Sequence, residues 1–197
     1  MKRIVFALGI LALALSMSAQ TKEQAKGWKV DNSHTSISFT VPHMVISEVT
    51  GNFREFSINV TSSKPDFSDL SVDASIKVAS ISTDNEMRDN HLKSDDFFNA
   101  EKYPVITFKS SSVAQIDPKH YKITGDLTIR DVTKKVTFDA VFNGMVKSPW
   151  GQTVAVWKAS TVINRFDYNL KWNKTIESGG LVAGDQVTIN MNVELTK

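Results

Sequence analysis

Val187-Thr188-Ile189-Asn190-Met191-Asn192-Val193-Glu194-Leu195 alternates apolar and polar residues without an exception. A period of two puts every apolar side chain on one face of an extended strand and every polar one on the other. The pattern continues outward from this stretch. Leu70, Val72, Ala74, Ile76 and Val78 alternate with Ser71, Asp73, Ser75 and Lys77; Val136, Phe138, Ala140 and Phe142 form a second run, and Ala155, Trp157 and Ala159 a third. Shorter runs are carried by Trp28 and Val30, by Ile37, Phe39 and Val41, and by Phe56, Ile58 and Val60. Others are Ile106 and Phe108, Tyr121 and Ile123, and Leu127 and Ile129. Between them, Pro42 reads as an interruption that bends the chain at His43 and Met44. Gly51 reads as a turn, Thr61 to Asp69 as a polar loop, and Asp117-Pro118 and Gly179-Gly180 as tight turns.

About eight strands, each with one polar and one apolar face, require an antiparallel sheet that hides one side. Closing that sheet removes its exposed edges, so the fold class is all-β and the architecture an eight-stranded antiparallel β-barrel. With no repeat, low-complexity segment or internal boundary, residues 28–197 form one domain.

One segment departs from period two. Thr83, followed three residues later by Glu86, has the spacing of a capping box, which predicts a short helical insertion around residues 84–100. On a helix starting there, Met87 and His91 share a face, with Arg88 and Leu92 beside them, so that face can tuck against the sheet. Ser94, Asp95 and Asp96 can cap a second turn that delivers Phe97 and Phe98, and Pro104 holds Tyr103 extended.

The chain begins Met1-Lys2-Arg3, continues with a twelve-residue apolar run from Ile4 to Leu15, and ends that region with Ser16, Met17, Ser18 and Ala19. A positive start, a short apolar run and small residues describe a secretory signal peptide over residues 1–19, with cleavage near residues 18–20. Residues 20–27 read as a flexible tether. The address implied is periplasmic or secreted, without stable membrane insertion, because the apolar run is too short to span a bilayer.

Two of the 23 basic residues, Lys2 and Arg3, belong to the leader; the other 21 balance 21 acidic ones. A neutral chain without a basic block has no footprint for nucleic acid. The absence of cysteine removes disulfides, thiol catalysis and cysteine-ligated metals. His34, His43, His91 and His120 show no metal-ligand spacing, so no metal is assigned; His120 reads as a solvated loop residue. The serine elbow, the glycine-rich phosphate loop and the His-Glu-x-x-His helix are all missing, so the chain reads as no enzyme, with no catalytic residue and no cofactor beyond a bound lipid.

Composition alone leaves two barrels open. The interior is either filled by aromatic rings or hollow and lined by rings and thioethers, a surface suited to a long apolar chain. Further motifs narrow the choice. Arg88-Asp89-x-His91-Leu92-x-Ser94-x-Asp96-Phe97-Phe98-x-Ala100-x-x-Tyr103-Pro104 resembles the signature of the YceI-like family. Matching pieces are Trp28-x-Val30-Asp31-x-x-His34-Thr35-x-Ile37-x-Phe39-x-Val41-x-His43, Gly51-x-Phe53, Gly125-Asp126-Leu127-Thr128-Ile129-Arg130, Asn164-Arg165 and Gly184-Asp185-x-Val187.

The resemblance implies a lipocalin-like barrel with an elongated apolar cavity. It also implies a secreted bacterial protein that carries or sequesters a polyisoprenoid, an isoprenoid quinone or a fatty-acyl lipid. Cavity wall or mouth candidates are Phe39, Phe53, Met87, Phe97, Phe98, Phe108, Trp157 and Trp172. Arg88, His91, Asp31, His34 and Arg165 either anchor a polar head group or pair among themselves to fasten the insertion to the barrel. The alternatives are a packed-barrel interaction or stress-protection module and an unrecognised hydrolase. Oligomeric state is open between monomer and homodimer. Two departures from the family pattern stand out: Asp131 where a glycine is expected, read as a turn residue with φ > 0, and Phe166-Asp167-Tyr168-Asn169, read as ring bulk that shortens or gates the cavity.

Overall fold

The computed structural model describes residues 26–177 and 179–197. Residues 1–25, which hold the expected leader and most of the expected tether, lie outside the described residues. The first strand nevertheless opens at Lys26, inside the stretch read as tether.

Eleven strand segments form one antiparallel sheet: β1 (Lys26–Val30), β2 (Ser36–His43), β3 (Ser47–Phe53), β4 (Phe56–Ser62), β5 (Ser71–Lys77), β6 (Ile81–Ser82), β7 (Val105–Gln115), β8 (His120–Ile129), β9 (Val132–Lys147), β10 (Thr153–Asn164) and β11 (Gln186–Thr196). The order β1-β4-β5-β7-β8-β9-β10-β11 closes on itself because β1 also pairs with β11. This is the eight-stranded barrel that the alternation requires. The extra segments arise because three of the long strands break. β11 pairs through Leu195 and Thr196 with β1, and through Thr188 to Asn192 with β2, so β1 and β2 are two halves of one strand bent at Asp31–Thr35. A short kink at Arg54–Glu55 separates β3 from β4, and a 3₁₀ turn at Val78–Ser80 separates β5 from β6.

The upper halves β2, β3 and β6 pair with one another, but among the described residues β6 has no partner on its other side, since β7 starts opposite Lys77 of β5. The wall is therefore split at one end of the barrel, and residues 83–104 lie in the sequence between the two lips of that split. Helix α1 (Glu86–Lys93) is the only α-helix among the described residues. Its N-cap is Asn85, whose side-chain oxygen accepts from the Arg88 amide at 3.0 Å, rather than Thr83. Thr83 is used differently: its amide and hydroxyl donate to Asp89 Oδ1 (2.8 and 2.6 Å), and its Oγ1 accepts from Arg88 Nε at 2.7 Å. Starting two residues later, the helix turns Arg88, His91 and Leu92 inward as an i, i+3, i+4 face and leaves Met87 outside, 84% exposed.

Two local readings change for tertiary reasons. β2 runs through Pro42, which pairs with Glu48, and the bend falls at Met44 and Val45, where φ is 51° and 69°. Gly51 is not a turn but a buried residue inside β3, paired with Phe39. A Cβ there would collide with the Phe39 ring and stand 2.8 Å from Thr83 Cγ2, so the glycine lets a ring lie flat on the backbone. At the other departure, φ > 0 falls on Arg130 (54°), one residue before Asp131.

The two ends of the barrel differ. At the end formed by the β4–β5, β7–β8 and β9–β10 connections, Phe67 is 1% exposed and held at φ 56° in the loop read as polar. Its ring lies 5.4 Å from Trp28, 5.3 Å from Phe142 and 5.2 Å from Trp157, and Tyr121 is 4.9 Å from Trp157. The loop that carries Phe67 is tied down at both sides. Tyr121 OH donates to the Asp66 carbonyl at 2.7 Å, and Asp69 accepts from Ser62 Oγ (2.6 Å) and the amides of Ser63 and Lys64. These donors, the Ser62 hydroxyl first among them, hold the Asp69 carboxyl well below the usual carboxylate range. An aromatic plug thus closes this end.

Candidate functional site

Above the plug the barrel is hollow. A cavity of about 380 Å³ is walled by the inward faces of the strands, among them Val187, Ile189, Met191, Val193 and Leu195, the five apolar residues of the alternating stretch in β11. That volume lies within the ordinary range of small-molecule sites. Both barrels left open by composition are present in part: rings fill one end and line the other.

The sequence-predicted wall residues divide as follows. Phe108 and Trp157 stand on the barrel wall, both nearly inaccessible. Phe39 and Phe53, 5.7 Å apart, line the β2–β3 side, and Phe98 meets Phe53 edge-on at 6.2 Å. Phe97 and Trp172, 5.4 Å apart, flank His91, whose ring is 5.1 Å from Phe97 and 5.3 Å from Trp172. These rings belt the upper cavity. Met87 is the exception, pointing to solvent on the far face of α1. Phe166 and Tyr168 do not reach the wall either: they sit in a 3₁₀ turn, Arg165–Tyr168, that ends on Asn169 at φ 60°, so the extra ring bulk does not shorten the cavity. Phe67 was legible only as an isolated aromatic in a polar segment, and no periodicity marks it.

The charged motif residues occupy three separate places. Arg88 and His91 reach the cavity wall. Arg88 Nη2 donates to the Thr83 carbonyl at 2.8 Å and His91 Nε2 donates to Asp96 at 2.8 Å, so each is held by its own insertion and neither meets Asp31 or His34. Arg165 is 3% exposed. Its guanidinium donates to four carbonyls, those of Gly184 (2.8 Å), Leu170 (2.5 Å), Trp172 (2.9 Å) and Ala183 (2.9 Å), and stacks 4.3 Å from Phe166. Burial lowers its pKa from the usual guanidinium value, against the opposing field of Asp185. Four backbone partners satisfy the buried charge and gather residues 170–177 and 179–184 into an arm beside the mouth.

Asp31 and His34 lie at the bend between β1 and β2, on the outer surface. His34 Nδ1 is 3.1 Å from Asp31 Oδ2 and 3.8 Å from Glu194 Oε1, and the three ligand atoms lie within 4.8 Å of one another. Histidine spacing alone does not reveal this group, because one of its carboxylates, Glu194, comes from the distant strand β11. Ser33 Oγ donates to Asp31 Oδ1 at 2.6 Å and approaches the same His34 nitrogen that faces Asp31. A nucleophile relay needs the two imidazole nitrogens to serve two different partners, so this is a turn clasp rather than a Ser-His-Asp triad.

Hydrogen bonds from Ser33 and His34 hold Asp31 far below the usual carboxylate range, and the hydrogen bond to Asp31 raises His34 above its ordinary value. In an NMR titration, His34 is expected to titrate above the ordinary value of about 6.5, and Asp31→Asn to bring it back down. The raised His34 contributes stability below its unfolded pKa and loses it as pH rises through the folded pKa; the depressed Asp31 contributes above its own unfolded pKa and loses it on acidification. An unchanged His34 titration in Asp31→Asn would refute the clasp.

A sequence model described as the YceI-like domain matches residues 28–195, nearly the whole of the barrel just described. The chain belongs to the YceI-like family. A UPF0312 protein of Staphylococcus aureus strain N315 is 39% identical to this YceI-like chain over 167 residues, covering 84% of it and 95% of the relative. Among solved structures, the Campylobacter jejuni YCEI protein superposes with a TM-score of 0.69 at 35% identity, covering 77% of this chain and 86% of the other. Burkholderia cenocepacia BcnA gives 0.73 at 23% identity over 84% of this chain and 99% of its own. A polyisoprenoid binding domain from Saccharophagus degradans, implicated in plant cell wall breakdown, gives 0.59 at 12% identity over 87% and 98%. The last two share the barrel fold with this YceI-like protein.

Proposed function

We propose that this protein is an exported carrier that sequesters a long-chain apolar lipid, a polyisoprenoid, isoprenoid quinone or fatty-acyl derivative, in its barrel. The observation that carries the reading is a cavity plugged at one end by Phe67 and walled by apolar side chains from every long strand. Burial supplies the affinity: each CH₂ moved out of water contributes roughly 0.8 kcal/mol, so an acyl or prenyl chain needs no strong polar contact. Such a wall selects on length and branching more than on head-group chemistry. The description of the Saccharophagus domain as polyisoprenoid binding supports the same ligand class for a cavity of this kind. Export rests on the Lys2-Arg3 start and the apolar Ile4–Leu15 run; N-terminal sequencing of the mature protein from the periplasm or medium tests it.

The carrier reading is tested by native mass spectrometry of protein purified from its own compartment, followed by organic extraction. A discrete added mass matching a polyprenyl, quinone or acyl species is expected, and resupplying the extracted lipid at 100 times its Kd should stabilise the apo protein by about 2.7 kcal/mol. Apo mass alone, with no thermal shift on adding quinones, polyprenols or fatty amides, would leave a packed interaction module. Chemical conversion of the added lipid would mark a hydrolase.

A further inference from the structure

Beside the cavity mouth the β2–β3 hairpin ends in Met44, Val45 and Ile46, which are 44%, 66% and 90% exposed. Three consecutive apolar residues at a hairpin tip are unusual, since turns with φ > 0 favour Gly, Asn and Asp. Here φ is positive at Met44 and at β-branched Val45, a conformation that such a side chain adopts only when the surroundings impose it. The surroundings are the arm gathered by Arg165. The Met44 amide donates to the Val182 carbonyl at 3.0 Å, His43 Nδ1 donates to the same carbonyl at 2.9 Å, and the Gly184 amide donates to the Pro42 carbonyl at 2.8 Å. Val45 packs on Gly180, where a Cβ would stand 2.7 Å from Val45 Cγ2. The tip is thus held rigidly outward from the residues that precede it, Val41, Pro42 and His43, and these line the cavity.

We infer that Met44, Val45 and Ile46 are a bilayer-contacting tip, through which the mouth is seated on a lipid surface while cargo passes between membrane and cavity. This rests on the carrier reading. A lipid surface fits the tip better than a protein partner does. Three side chains on a convex turn offer far less than the roughly 800 Å² a side of a stable protein interface, whereas insertion into the headgroup region needs only exposed apolar area. Exposed charges around the mouth are mixed, Glu48 and Glu177 against Lys171 and Lys174, so attachment depends on the apolar tip and not on anionic lipid. A transfer route through this contact spares an apolar chain the passage through water.

A second apolar tip serves as a matched control. Trp150, 86% exposed, lies in the β9–β10 hairpin at the plugged end, away from the mouth. The experiment uses the mature full chain loaded with a pyrene-labelled fatty acid, with phosphatidylcholine vesicles as acceptor, and compares wild type, Ile46→Asp and Trp150→Asp. Equilibrium binding of the probe, read by its fluorescence, is expected to be the same in all three, because neither residue lines the cavity. The wild-type transfer rate is expected to rise with vesicle concentration. Ile46→Asp should slow transfer about tenfold and lose flotation with empty vesicles, whereas Trp150→Asp should match wild type. Ile46→Ser is expected to give the same loss in smaller measure and guards against local misfolding.

A transfer rate independent of vesicle concentration, an unchanged Ile46→Asp, or an equal loss in Trp150→Asp would overturn the inference. Failure of the carrier reading shows separately, as absence of probe binding in the wild type. Flotation of the empty protein tests the tip without cargo.

Discussion

Phe67→Ala is expected to lower the free energy of unfolding by about 3–5 kcal/mol, the cost of removing a fully buried phenylalanine and leaving a void. The ring is 1% exposed and contacts Trp28, Phe142 and Trp157, which come from β1, β9 and β10. These walls are fixed by barrel pairing and cannot collapse into the gap, which places the loss toward the upper part of the range. The same substitution converts a blind cavity into one open at both ends. Urea unfolding of the lipid-free protein measures the first effect, and lipid retention through gel filtration measures the second. A loss below about 1 kcal/mol would mean that the plug does not close the barrel.

An alanine-to-ring substitution inside the cavity should have the opposite profile. Ala159 on β10 lines the hollow part, opposite Ala140 of β9 and Met191 of β11. In Ala159→Trp the indole is expected to occupy the room of about four methylenes of cargo, removing roughly 3 kcal/mol of burial, about 100-fold in Kd. The lipid-free variant should remain folded and at least as resistant to urea as wild type, because the added ring enters existing space rather than a packed core. Unchanged lipid affinity would place the cargo outside the barrel. Loss of folding would show that the space around Ala159 is too small to hold a chain. Measured side by side, the two substitutions separate the filled half of the interior from the hollow half.

The barrel was legible in the chain because alternation is a local property. Leu70 to Val78, Val136 to Phe142 and Val187 to Leu195 each declare one inward face without reference to any partner, and eight such faces leave few ways to be hidden. Phe39 lies in an alternating run and, with Phe53, in pieces that match the family motif, while Phe97 and Phe98 lie in its signature; Trp172 carries no such mark and stands on the cavity wall by tertiary placement. Met87 was misplaced by a rotation of the helix. Thr83 and Glu86 satisfy the spacing of a capping box, but Asp89 and Arg88 claim Thr83, and Asn85 takes over the cap. Gly51 looked like a turn because sequence does not show that Phe39 will lie across it.

By itself, then, the sequence determined the strand faces, the eight-stranded barrel, the place of the helical insertion and the family to which the chain belongs. Tertiary structure decided which inward rings fill the barrel and which line it. It brought Phe67 from a polar loop into the closed end, set Arg165 among four carbonyls, and joined Asp31 and His34 to Glu194 on the outer surface. The reason is range. Period and capping act over a few residues, whereas plug, arm and clasp depend on loops and strands far apart in the chain, whose meeting is fixed only when β1 closes on β11.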